Sequence, residues 1–126
     1  GWMEYEELIK FYQNMDFLFL AREKNVMTIS NFPSKVPEMM GYGIVPVCSD
    51  VGDYTALYLE DEKDSIIFSG CNSEKCAVAF RRALNLSNER LVKMKLAARK
   101  KVEEKFDYHN WSNTLRLFLE CEEVEK

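Results

Sequence analysis

Ser34, Lys35 and Glu38 are the residues whose types and spacing suit chemistry. A serine and a lysine at the amino end of a helix gather unpaired backbone N–H groups, the positive end of the helix dipole and a full positive charge. That combination suits a phosphate or diphosphate. A carboxylate one turn further on, at Glu38, can accept hydrogen bonds from two adjacent ribose hydroxyls. Phe32-Pro33-Ser34-Lys35 is therefore a candidate anion cradle and Glu38 a candidate ribose anchor. Plainer readings stand beside these. Loop–serine–helix starts are common in proteins that bind nothing, and a first-turn glutamate complements a helix dipole by about 0.3–1 kcal/mol with no ligand present. A second loop, Ser49-Asp50-Val51-Gly52-Asp53, follows an apolar run and is the other place where a ligand could sit.

Such loops need a parallel α/β frame, because ligands of open parallel sheets bind outside the carboxyl ends of the strands. The spacing of Tyr5, Leu8, Ile9 and Tyr12 predicts a helix from about Met3 to Asn14. Met15–Leu20, Ile44–Cys48 and Ser65–Phe68 are short apolar runs, the mark of strands buried on both faces, although Pro46 removes one ladder donor. The polar stretch from Ala21 to Asn31 reads as a loop. Ser34 is the expected N-cap of a helix from Lys35 to about Tyr42, with Pro37 tolerated in its first turn and Gly43 suited to the left-handed position after its end. Tyr54–Leu59 reads as a short helix after the Asp50–Asp53 turn. Further helices start at Ser73 and Ser87, the latter with Leu91, Met94, Ala98, Val102 and Phe106 at three- and four-residue steps. Asp107 is placed to cap a last helix carrying Trp111, Leu115 and Phe118. The alternation predicts an α/β fold, a Rossmann-like parallel sheet flanked by helices, with residues 1–126 as one domain.

Composition narrows the function. Of 126 residues 47% are hydrophobic and 13% aromatic, with only five glycines and three prolines, which excludes disordered and collagen-like chains. No apolar run nears the ~20 residues of a membrane span, and the first residues lack the basic and apolar regions of a signal peptide. With 17 Lys and Arg against 21 Asp and Glu the net charge is −4, so bulk nucleic-acid binding is not expected. Acidic residues crowd both ends (Glu4, Glu6, Glu7; Glu120, Glu122, Glu123, Glu125). Arg90, Lys93, Lys95, Arg99, Lys100, Lys101 and Lys105 form a basic stretch, read as a solvated helix face or, less simply, a weak contact with an anionic membrane surface. Cys48, Cys71, Cys76 and Cys121 lack the paired spacing and histidines of a zinc site, and the lone His109 is far from them. Reduced cytosolic thiols are expected, with no metal and no cofactor.

The run from Ser34 to Asp53 resembles the donor-binding half of GT-B glycosyltransferases of the large retaining family with the glutamate–seven–glutamate signature (the family-4, group-1 type). That family reads Glu-Ala-Met-Ala-x-Gly-x-Pro-Val-Val-x-Ser-x-x-Gly. Glu38, Met40, Gly43, Val47, Ser49 and Gly52 match it, whereas Val45 stands at the proline position and Pro46 follows one residue later. The likeness extends over nearly the whole chain. Glu6, Leu8, Tyr12 and Asp16 are similar to the family's preceding helix and strand, Ser65–Phe68 to a following strand, and Met94, Ala97, Ala98, Arg99 and Phe106 to a late helix.

The resemblance implies that Glu38 is the second signature glutamate and binds the ribose of a nucleotide diphosphate-sugar. The first would stand eight positions earlier, where this chain has Ser30. A subgroup with Pro-x-Lys ahead of the helix is similar to Pro33-Ser34-Lys35. By that likeness Lys35 faces the diphosphate, Ser34 donates through backbone or hydroxyl, and Gly52 and Asp53 lie near the sugar or diphosphate. The chain would then be the latter part of a GT-B donor domain, cut from an enzyme whose amino-terminal domain binds a glycan or lipid-linked acceptor. Alone, it is expected to be inactive. The implied location is cytoplasmic, at the inner membrane face where the acceptor is a lipid. Two other readings are a non-catalytic α/β interaction module and, less well matched, a phospho-acceptor receiver domain.

Overall fold

The three apolar runs become the three strands of one parallel sheet. In the computed structural model, which describes residues 2–121 apart from the Cys121 side chain, the elements in chain order are α1 (Tyr5–Gln13), β1 (Phe17–Leu20), α2 (Val26–Ser30), α3 (Lys35–Gly41), β2 (Val45–Ser49), α4 (Asp53–Tyr58), β3 (Ile66–Phe68), α5 (Ser73–Leu84), α6 (Asn88–Lys105), a 3₁₀ turn (Tyr108–Trp111) and α7 (Ser112–Cys121). The strand order is β1-β2-β3, all parallel, with Phe19 opposite Val47 and Val47 opposite Ile66. Strand–helix–strand connections of this kind make the arrangement Rossmann-like.

Register decides which side chains share a core. Phe17, Phe19, Val45, Val47, Ile66 and Phe68 point to one face, where they pack against Ala79 and Ala83 of α5 and Met94 of α6. Leu18, Leu20, Cys48 and Ile67 point to the other, against Val36 and Met40 of α3, Tyr54 of α4, and Ala98 and Val102 of α6. A third cluster of Tyr12, Met39 and Ile44 seats α1. All five residues of β2 are buried, as a central parallel strand requires. Pro46 is accommodated by direction. The Val45 N–H points to β1, where it meets Asp16 O at 2.9 Å, so the donor absent at Pro46 would point toward β3. The β3 ladder starts only at Val47, so no bond is lost.

The two sheet edges differ. On the outer side of β3, Ile67 N–H donates to Asp61 Oδ1 at 2.7 Å and Ile67 O accepts from Arg82 Nη1 at 2.8 Å. Arg82 Nη2 pairs with both oxygens of Asp61 at 2.9 Å. Among the described residues β1 pairs with β2 alone, and its four residues are half-buried.

Several local expectations are corrected. The Ala21–Asn31 stretch holds helix α2, started by a capping box in which Asn25 and Thr28 bond each other's backbone N–H. Ser34 does precede α3, but its backbone is already helical and its hydroxyl makes no capping bond. Asp107 caps the 3₁₀ turn rather than α7 directly. The apolar stripe of α7 lies open, with Leu115 at 58% and Phe118 at 62% exposure. Gly43 behaves as its type demands, with φ +73°. Gly43 N–H bonds Met40 O and Ile44 N–H bonds Met39 O, a Schellman ending closed by contact between Ile44 and Met39.

The basic stretch is largely answered by carboxylates. Lys93–Glu89, Arg99–Glu103 and Lys100–Glu104 are pairs along α6, and Lys95 reaches Asp16 at 2.9 Å. Lys101 bridges Glu60 at 2.6 Å and the fully buried Asp64 at 3.3 Å. Among the described residues no helix is long and apolar enough to cross a membrane. Cys48, Cys71 and Cys76 are free thiols; the Cys121 side chain and residues Glu122, Glu123 and Glu125 lie outside the described residues.

Lys101 first and Lys63 second hydrogen-bond Glu60 and hold its carboxyl down from an ordinary 4.5 to about 2. A depressed carboxyl contributes stability that is fully present above its ordinary pKa and lost as pH falls toward the folded value. The melting temperature is therefore expected to fall between about pH 4.5 and 2, and by less in Glu60→Gln. Equal slopes for the two proteins in that window would remove Glu60 from the account.

Candidate functional site

Three of the five candidate residues stand on the first turn of α3 or just before it. Lys35 is the first residue of the helix and Glu38 follows at i+3, so both side chains leave the same exposed face. They meet each other: Lys35 Nζ lies 3.1 and 3.0 Å from the two oxygens of Glu38. Lys35 Nζ also lies 3.4 Å from the Tyr12 hydroxyl and 5.9 Å from that ring's centre. The Glu38 hydrogen bond, followed by that of Tyr12, raises the Lys35 pKa, so the lysine is charged at neutral pH. Ser34 is exposed beside them. With only seven residues, α3 brings a weak dipole, and the positive charge here is mainly that of Lys35. Glu38 also borders an open cleft of about 480 Å³, shared with Tyr42, Arg99 and Tyr108.

The other two candidates, Gly52 and Asp53, lie at the carboxyl ends of β1 and β2. Gly52 has φ +81° and ψ 179°, a conformation open essentially to glycine alone. A Cβ there would sit 3.0 Å from Ile29 O and 3.3 Å from Thr28 O, so α2 rests directly on the turn. Asp53 is the exposed first residue of α4. Thr55 Oγ1 donates to Asp50 Oδ1 at 2.9 Å and to Gly52 O at 3.0 Å, which fixes the turn from below. Ser30, at the position of the first signature glutamate, ends α2 and is exposed. No hydrogen bond or ion pair among the described residues joins Lys35 or Glu38 to Gly52 or Asp53.

Sequence reasoning missed Arg22. The buried Ser49 Oγ accepts from Arg22 N–H at 2.8 Å and donates to Arg22 O at 2.9 Å, which ties the loop after β1 to the end of β2. The Arg22 guanidinium donates through Nη2 to Asn31 Oδ1 at 3.1 Å. It lies near Tyr54, whose hydroxyl donates to Ser49 O at 3.3 Å. Burial pushes the Tyr54 pKa up, and the Arg22 charge pulls it the other way. The one signal in the sequence was a cation two residues past an apolar strand, at the edge where such sheets take ligands.

Cys48, buried in β2, is pushed up to about 12 by burial and remains protonated. Among the described residues, no three His, Cys, Asp or Glu side chains gather as a metal site.

Gly52→Ala is expected to lose about 1–3 kcal/mol, the cost of forcing a side chain into a glycine-only backbone conformation. Urea unfolding measures it. An unchanged midpoint would mean that α2 is not seated on the turn in solution. No protein-family model matches this chain, and no curated protein matches it as a relative.

Proposed function

We propose that the chain is the nucleotide-sugar-binding part of a GT-B glycosyltransferase, the latter portion of its donor domain. The parent enzyme would move a sugar, with retention, from a nucleotide diphosphate-sugar to a glycan or lipid-linked acceptor held by a preceding domain. The observation that carries this reading is the placement of Lys35 and Glu38 on one exposed face, ammonium and carboxylate 3.0 Å apart. A nucleotide presents ribose hydroxyls and phosphate on either side of one furanose ring, so neighbouring anionic and cationic groups suit it. Donor binding requires their mutual ion pair to open. That pair is exposed, and exposed pairs contribute about 0–1 kcal/mol, so opening it costs little.

In this reading Lys35 stabilises the departing diphosphate as its charge grows, Glu38 accepts from the ribose hydroxyls, and Ser34 donates alongside. Gly52 and Asp53, at the sheet's carboxyl edge, lie on the sugar side. The one-sided β1 suits a sheet that continues in the parent domain. On this reading the acceptor is held by the preceding domain, and these 126 residues by themselves would not transfer a sugar. A cytoplasmic location, at the inner membrane face for a lipid-linked acceptor, belongs to the same reading. The exposed α7 stripe of Leu115, Phe118 and Leu119 favours a second reading, a non-catalytic interaction module.

A thermal-shift screen with uridine, guanosine, adenosine and thymidine diphosphates separates the two, since a stabilising nucleotide supports the transferase reading, whereas none together with clean dimer formation supports the module. By calorimetry, Glu38→Gln is expected to weaken the stabilising nucleotide by about 1.5–3 kcal/mol, the scale of a hydrogen bond to a charged group. Lys35→Ala is expected to raise the same dissociation constant and, in the intact enzyme, to lower turnover. Donor affinity unaltered in both variants would overturn the assignment.

A further inference from the structure

Arg22 carries a charge that the fold answers only in part. Its backbone is clamped on both sides by Ser49 Oγ, and its Nη2 is fixed by Asn31. Its Nη1 is shut away from solvent and has no hydrogen-bond partner among the described residues. No carboxylate among them comes within ion-pair distance of it either. Leaving a buried donor unanswered is costly, more so for a charged group, so buried polar nitrogens are nearly always satisfied. The site therefore calls for an acceptor beyond the described residues.

Position and shape say which kind. Arg22 stands just past the carboxyl end of β1, bonded to the last residue of β2, where an open parallel sheet takes its ligands. The planar guanidinium fork matches the paired oxygens of a phosphoryl group and holds its charge at any physiological pH. The bond to Asn31 fixes the plane of that fork, so little side-chain freedom is lost on binding. Between Arg22 and Asn31 the chain runs through α2, which has no buried residue. A ligand reaches Nη1 only when the groups that cover it move, and α2, which rests on the Gly52 turn through the Thr28 and Ile29 carbonyls, has no buried side chain to hold it further.

We propose that Arg22 binds a phosphoryl group, with Asn31 as the residue that orients it. Naming that group as part of a nucleoside diphosphate rests on the glycosyltransferase reading, whereas the anion site itself does not.

Calorimetric titration of the 126-residue chain with inorganic pyrophosphate and with uridine, guanosine, adenosine and thymidine diphosphates tests this. Arg22→Gln is expected to weaken pyrophosphate and the preferred nucleotide at least tenfold, while Arg81→Gln, at an exposed arginine of α5, changes neither. Asn31→Asp leaves Arg22 in place and supplies it with a competing carboxylate. It is expected to weaken both ligands too, which keeps the test valid if Arg22→Gln melts early by circular dichroism. Glu38→Gln should weaken the nucleotide and spare pyrophosphate. Pyrophosphate bound equally by the parent chain, Arg22→Gln and Asn31→Asp, or not bound by the parent chain at all, would overturn the Arg22 site. If Arg22→Gln loses pyrophosphate while Glu38→Gln and Lys35→Ala leave nucleotide affinity intact, the Arg22 site stands and the nucleotide reading falls.

Discussion

Ala98 is fully buried and has nothing beyond Cβ, and the close approach it permits organises the fold. One helix, α6, places Met94 in the core on one face of the sheet and Ala98 with Val102 in the core on the other. To do so it must pass the amino-terminal edge, where Lys95 reaches Asp16 just ahead of β1. Small residues on the facing element complete the fit. A Cβ at Gly43 would lie 3.7 Å from Lys95 O, and the one at Gly41 would lie 3.9 Å from Val102. Arg99 then donates to Gly41 O at the carboxyl end of α3, where a cation complements the helix dipole. α3 is thus held along its length by α6, and that contact presents Lys35 and Glu38 outward.

The two cations near the candidate site are held in opposite ways. Lys35 is mobile in kind, a point charge on a flexible stem, and its partner Glu38 is half-exposed and easily surrendered. Arg22 is fixed at its backbone and through Nη2, and no described residue accepts from its Nη1. A flexible cation suits a charge that develops during reaction, while a fixed one suits positioning before it.

The frame was legible in the sequence because burial leaves a strong pattern. Met15–Leu20 and Ile44–Cys48 could be read as strands from their apolar runs, within a residue or two of the observed Phe17–Leu20 and Val45–Ser49, and Gly43 as a helix end from the need for positive φ. α2 was hidden, since five residues with no buried side chain carry no periodicity, and its capping box of Asn25 and Thr28 lies within a polar stretch. Ser34 shows the limit of a propensity. A serine at a helix start does not cap when its own backbone is already helical. On the site side, the proximity of Lys35 and Glu38 followed from their spacing. The clamp on Arg22 by Ser49 spans 27 positions and depends on strand pairing, which no local pattern encodes.

The unequal edges give the sheet a direction of growth. The outward N–H and C=O of Ile67 are consumed by Asp61 and Arg82, so no further strand can be laid beside β3. Among the described residues, the margin left unpaired is that of Phe17–Leu20. Two copies joined there would carry β3 at both outer margins, and the stack would terminate at the pair. Two side chains, Asp61 and Arg82, thus close one margin of the sheet by taking up the outward N–H and C=O of a single residue.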